Sequence, residues 1–114
     1  MAKTLDFNKV NRPVLQLIMQ DDDKTVIKVS TPTEGLIEEL QATLPEVEKV
    51  MAAGDKAAID CCYDLAARLI NHNRSFVKVT ANDLREKYKV DLESLILFYS
   101  AYFDFIKEIT NAKN

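Results

Sequence analysis

The sequence predicts an α+β domain that is mostly α, with an N-terminal antiparallel β-hairpin or small sheet followed by a helical bundle. Three observations predict it. Short apolar runs with alternation are confined to the first third of the chain, and from Thr31 onward apolar residues recur at three- and four-residue spacing. Helix-start signals punctuate that second part repeatedly. Strands therefore precede helices instead of alternating with them, which argues against a parallel sheet with a nucleotide crevice. The 114 residues make one domain, 1–114, enough for one core. Within it, 1–30 reads as β-rich, 31–111 as helical and 112–114 as a frayed tail.

Leu5 and Phe7 alternate with Asp6 and Asn8, which predicts a short strand. Val14 to Met19 and Thr25 to Val29 predict two more, joined by the polar turn Gln20-Asp21-Asp22-Asp23-Lys24. That turn lacks the glycine and distal glutamate of an EF-hand loop, so it reads as a solvated hairpin tip. Thr31-Pro32-Thr33-Glu34 then offers a capping box with proline in the first turn, placing the start of the first helix at Pro32. Leu36, Ile37, Leu40 and Leu44 mark its buried side. Pro45 either kinks it or opens a new segment through Val47, Val50 and Met51, which Gly54-Asp55 ends.

Asp55 caps a helix whose Ile59, Cys62, Tyr63, Ala66, Leu69 and Ile70 share one face and should enter the core. Asn71-His72-Asn73 terminates it. After an extended Ser75 to Val79, Thr80 and Asp83 start a short helix through Tyr88, and Asp91 caps the last one.

Little in the sequence points to chemistry. Fifteen Lys and Arg against 18 Asp and Glu leave a net charge of -3, without the basic field of a non-specific nucleic-acid binder. No apolar run reaches the ~20 residues of a membrane span, and the N-terminus has no signal-peptide core, so a cytoplasmic protein is expected. Cys61 and Cys62 are neighbours on a helix, pointing about 100° apart, and suit neither a mutual disulfide nor a shared metal. His72 is the only histidine and has no ligating or activating partner at useful spacing. No catalytic, cofactor or metal site is expected.

The last helix is the exception. From Leu92 to Ile109 its apolar arc spans roughly 220°, against about 100° or somewhat more for a helix with one buried side. Leu92, Leu95, Ile96, Tyr99, Tyr102, Phe103 and Ile106 form the expected core face, with Phe98, Ala101, Phe105 and Ile109 extending it sideways and Leu97 intruding into the polar arc. Either this is the central helix of its own fold, or one flank docks a partner or a second copy. The candidate interface is Leu97, Phe98, Ala101, Tyr102, Phe105 and Ile109. On that reading charges at Ile96 or Phe103 unfold the domain, while charges at Phe98 or Phe105 weaken assembly.

The hairpin, the capped Thr31-Pro32-Thr33-Glu34 helix, the short Thr80-Ala81-Asn82-Asp83-Leu84 helix and the aromatic segment from Leu95 to Ile106 together resemble the small tail assembly chaperones of long-tailed phages and prophages. The resemblance covers nearly the whole chain and rests on helical and hydrophobic patterns, without a chemical signature. It implies a non-enzymatic assembly factor in the host cytoplasm that keeps the tape-measure protein soluble and is absent from the mature virion. It also implies a short form, with tail-tube subunits recruited through a longer frameshifted product. The terminal Ala112-Lys113-Asn114 is compatible with a slippery A-rich codon run, so an overlapping downstream frame is expected. A homo-oligomer is expected as well, since the apolar surplus can close an isologous contact.

Two other classes compete. A small oligomeric regulatory or DNA-associated protein would need a basic recognition helix, and the nearest cluster, Arg85-Glu86-Lys87-Tyr88-Lys89, is short and contains an acid. A small hydrolase or transferase using Asp60, Asp64, His72 or a cysteine has residues but no spacing that joins nucleophile, base and orienting group.

Overall fold

The computed structural model describes residues 3–6 and 13–111. A two-stranded antiparallel sheet, β1 (Leu15–Ile18) and β2 (Val26–Val29), precedes four helices, α1 (Glu34–Ala53), α2 (Lys56–Asn71), α3 (Ala81–Glu86) and α4 (Leu92–Asn111). The chain is thus α+β and mostly α, with strands before helices. At the site of the expected first strand, Leu5 and Asp6 lie outside regular structure, while Phe7 and Asn8 lie outside the described residues.

The hairpin pairs Leu15 with Val29 and Leu17 with Ile27. Ile27 and Val29 are fully buried while Val26 and Lys28 face solvent, the period-two pattern of a sheet covering a core on one face. Asp21 organises the tip: its carboxylate accepts the Thr25 amide at 2.8 Å and the Thr25 hydroxyl, and these bonds hold its pKa below the usual carboxylate value. Along the far edge of β2 runs the 72–75 segment, through Ser30 N–H to His72 C=O at 2.8 Å and Arg74 N–H to Lys28 C=O at 2.9 Å. The extended Ser75 to Val79 expected from the sequence is irregular, with Phe76 in the left-handed region at φ 57°.

Most helix boundaries follow their caps. Gly54, at φ 63°, adopts the left-handed geometry that a Cβ penalises, and its N–H returns to Val50 C=O at 3.1 Å. Asp55 accepts the amides of Ala57 and Ala58, which starts α2 two residues after α1 has stopped and folds the pair into a helical hairpin. Thr80 and Asp83 form a reciprocal capping box, each bond 3.0 Å. Asp91 caps α4 through the Ser94 amide.

Two expectations need correction. The first helix starts at Glu34, because Thr33, not Thr31, is its cap and accepts the Leu36 amide at 3.2 Å. Of the two alternatives at Pro45, the new segment is overturned: α1 runs through the proline, and the carbonyl of Gln41 that loses a donor belongs to an exposed residue that water can serve.

The central helix is α2, not α4. It packs against α1, α3, α4 and β2, and it buries Ala58, Cys62, Tyr63, Leu65, Ala66, Ala67, Leu69 and Ile70. Of the face read from the sequence, only Ile59 remains half-buried. Two tyrosines pin α4 and its approach to this helix: the Tyr99 hydroxyl donates to the Cys62 carbonyl, and the Tyr63 hydroxyl donates to the Val90 carbonyl. Asn71 fixes the loop beyond α2 by bonding both the N–H and C=O of Val79, at 2.7 and 2.8 Å.

Candidate functional site

The apolar surplus of α4 resolves into a buried seam and two exposed margins. Leu95, Tyr99, Tyr102 and Phe105, at helical spacing, form the seam. Leu92 and Ile96 lie on one margin, 40% and 37% exposed, and Leu97 lies on the other, 63% exposed.

This placement corrects the interface read from the sequence. Tyr102, at 0% exposure, and Phe105, at 4%, are core residues, because α4 is rotated toward α2 on the Phe105 side of the expected face. Their rings meet edge to face with centroids 6.2 Å apart. Ile96, expected in the core, is exposed by the same rotation, and Phe103 is half-buried. Ile109 is half-buried near the far end of α4 and lines none of the cavities described below. Leu97, Phe98 and Ala101 are brought together.

Those three residues form one wall of a groove of about 370 Å³ between α4 and β1. Leu17, Ile18 and Met19 of the hairpin form the opposite wall. Ala66 and Ile70 from α2, Leu84 from α3 and Leu95 from α4 supply the floor, all of them buried. Gln16, Gln20 and Ser94 are the polar side chains at the rim, and no charged residue lines the groove. The Gln20 side-chain amide donates to the Lys89 carbonyl at 3.3 Å, tying the hairpin tip to the approach of α4 and closing one end.

Such a groove is suited to apolar side chains. It presents hydrophobic side chains from two different elements over a packed floor, the arrangement that receives anchor residues of an amphipathic partner. Its volume is that of a few apolar side chains. Its lining holds the Ser94 hydroxyl but no His, Cys, Asp, Glu, Lys or Arg beside it.

A second concavity is lined by Ile59, Tyr63, Arg85, Lys89, Val90, Asp91 and Leu92. Arg85 is committed there to Asp60 at 2.6 Å and lies 4.1 Å from the centre of the Tyr63 ring. Its guanidinium bridges α3 and α2, and Lys87 and Lys89 of the same cluster lie past the end of α3.

The remaining reactive groups lie outside the groove lining. Burial pushes the Cys62 thiol up to about 11, which leaves it a protonated core residue, while Cys61 is half-buried beside it and both are free thiols. His72 lies just past the end of α2, where its backbone carbonyl serves Ser30. No cluster of three or more His, Cys, Asp or Glu residues able to hold a metal occurs among the described residues. None of the described helices is long and apolar enough to cross a membrane.

The sequence singled out Leu97, Phe98 and Ala101 on α4 but not the β1 residues that face them across the groove. The available signal was Leu17-Ile18-Met19, where the strand's alternation breaks and Ile18 is left 64% exposed on the polar face. Ala66, Ile70 and Leu84 read as ordinary core, since nothing in a helical period distinguishes a core residue from the floor of a groove. Comparison with known proteins finds no family, curated protein or solved structure that matches this chain.

Proposed function

We propose that this chain is a non-enzymatic assembly chaperone that holds an apolar helical segment of a client in the β1–α4 groove, the client being a phage tape-measure protein. The observation that carries the proposal is the uncharged groove itself, with Leu97, Phe98 and Ala101 facing Leu17, Ile18 and Met19 over a buried floor. An amphipathic helix offers apolar residues at i, i+3, i+4 and i+7, and its anchors fit a hydrophobic slot of this kind. The resemblance of the sequence to small tail assembly chaperones supplies the client's identity. Asp60, Cys61, Cys62 and Asp64 sit together on α2 with His72 just past its end, Asp60 is paired with Arg85, and none of the five lines the groove, so the groove reading takes no support from them.

Coexpression with the tape-measure protein encoded nearby tests the proposal. The wild-type chain raises the client's soluble yield and copurifies with it. Leu97→Asp, which places a charge on an exposed groove wall, abolishes both effects while preserving the fold. His72→Ala and Cys61→Ser leave them intact. Failure of the wild-type chain to copurify with either the full-length client or overlapping fragments of it refutes the assignment.

A further inference from the structure

The two edges of the hairpin are unequal. On β2 the outward groups of Lys28 are taken, its N–H by the Ser75 hydroxyl at 2.9 Å and its C=O by the Arg74 amide. On β1 the register places Leu15 and Leu17 in hydrogen-bonded pairs with β2, continued by the Met19 N–H to Thr25 C=O bond. The N–H and C=O groups of Gln16 and Ile18 therefore point away from β2. Among the described residues they have no partner.

Free edges in natural proteins usually carry a lysine, a proline or a bulge that discourages pairing. The four residues of β1, Leu-Gln-Leu-Ile, carry none of these. Ile18 stands 64% exposed on the strand, and Leu97 stands 63% exposed across the groove that the strand borders.

We propose that two copies of this chain pair antiparallel along β1, about a two-fold axis at Leu17, joining the two hairpins into one continuous sheet. The register favours a second copy as the occupant. With Leu17 on the axis, Gln16 of each copy lies opposite Ile18 of the other, so the residues whose backbone groups are open in one copy meet the same residues in its mate. Each open N–H then has an open C=O to meet, with no group left over. No charge opposes a like charge across the new ladder, because the strand has no charge. The contact is isologous and closes on itself.

Pairing along β1 also covers the mouth of the groove. Where the client reading holds, the paired state and the client-bound state exclude each other. The dimer is then a resting form that protects its own apolar wall until a client displaces the second copy.

Amide hydrogen exchange of the full chain, followed by NMR at low and high protein concentration alongside sedimentation, tests the pairing without any client. The Gln16 and Ile18 amides are expected to gain protection only at the concentrations where the dimer forms, while Leu17 is protected throughout. Ile18→Lys is expected to weaken association at least about tenfold and leave the hairpin intact, since its side chain lies on the solvent face. Gln16→Pro removes an outward N–H without touching the ladder to β2 and is expected to act likewise. A monomer at every concentration overturns the proposal. So does a dimer in which both amides exchange freely, or protection of both in the monomer. None of these outcomes bears on client copurification, which stands or falls separately.

Discussion

Truncating α4 at two apolar positions, Phe105→Ala and Leu97→Ala, separates the seam from the groove wall. Phe105 is 4% exposed and its ring packs edge-on against Tyr102, so its loss removes contacts on a side that cannot collapse freely. Truncation of a buried phenylalanine costs about 3–5 kcal/mol, and a position two turns from the helix end belongs near the lower figure. Leu97 is 63% exposed, and an alanine there keeps helix propensity while removing surface already in water. Its expected cost is within about 0.5 kcal/mol. The difference of roughly 2.5 kcal/mol corresponds to about 1–2 M in urea midpoint at the slopes usual for small domains. Equilibrium urea unfolding monitored by far-UV circular dichroism, with the slopes compared, measures it. Equal shifts for the two variants, or a larger shift for Leu97→Ala, refute the division of α4 into a buried seam and an exposed wall.

Other positions give sharper chemical tests. The buried Tyr102 hydroxyl has no hydrogen-bond partner among the described residues, so Tyr102→Phe should leave stability unchanged or raise it by about 1 kcal/mol in thermal or urea unfolding. Burial raises the Cys62 thiol from 9.0 to about 11 and pushes up Tyr102 to about 12, so above pH 9 the unfolded chain gives up protons that the folded chain retains. Stability should therefore be full below pH 9 and fall as pH rises toward 11, and Cys62→Ala should make the decline shallower. Asn73 bonds the Ile70 and Val77 carbonyls and the Ser75 and Val77 amides, so Asn73→Ala should cost about 2 kcal/mol and deprotect the 74–77 amides in hydrogen exchange.

The parts of this fold that depend on neighbours in sequence were legible, and those that depend on packing were not. Asp55, Gly54, Thr80 with Asp83, and Asp91 each act within a turn of themselves, so residue type and spacing locate the end of α1 and the starts of α2, α3 and α4. Thr31 was expected to cap α1 and Thr33 does so instead; the two carry the same side chain two residues apart, so residue type does not separate them. The rotation of α4 was ambiguous for a similar reason. With apolar residues on most of its circumference, the helical period fixes that it is buried but not which part faces α2. The hydroxyl of Tyr99 reaching the Cys62 carbonyl and the burial of Phe105 settle the orientation, and both are long-range facts. Half of the groove was invisible because its β1 wall lies some eighty residues away in sequence from its α4 wall.

The central claim is that the β1–α4 groove receives the client. Site-specific photo-crosslinking in cells coexpressing the tape-measure protein tests it most directly, with the reactive residue placed at Leu97 in one variant and at the exposed Glu48 of α1 in another. A crosslink to the client is expected from Leu97 and none from Glu48, and the Leu97 crosslink is lost when Ala101→Asp is added. Crosslinking of equal strength from both positions, or from Glu48 alone, would contradict it.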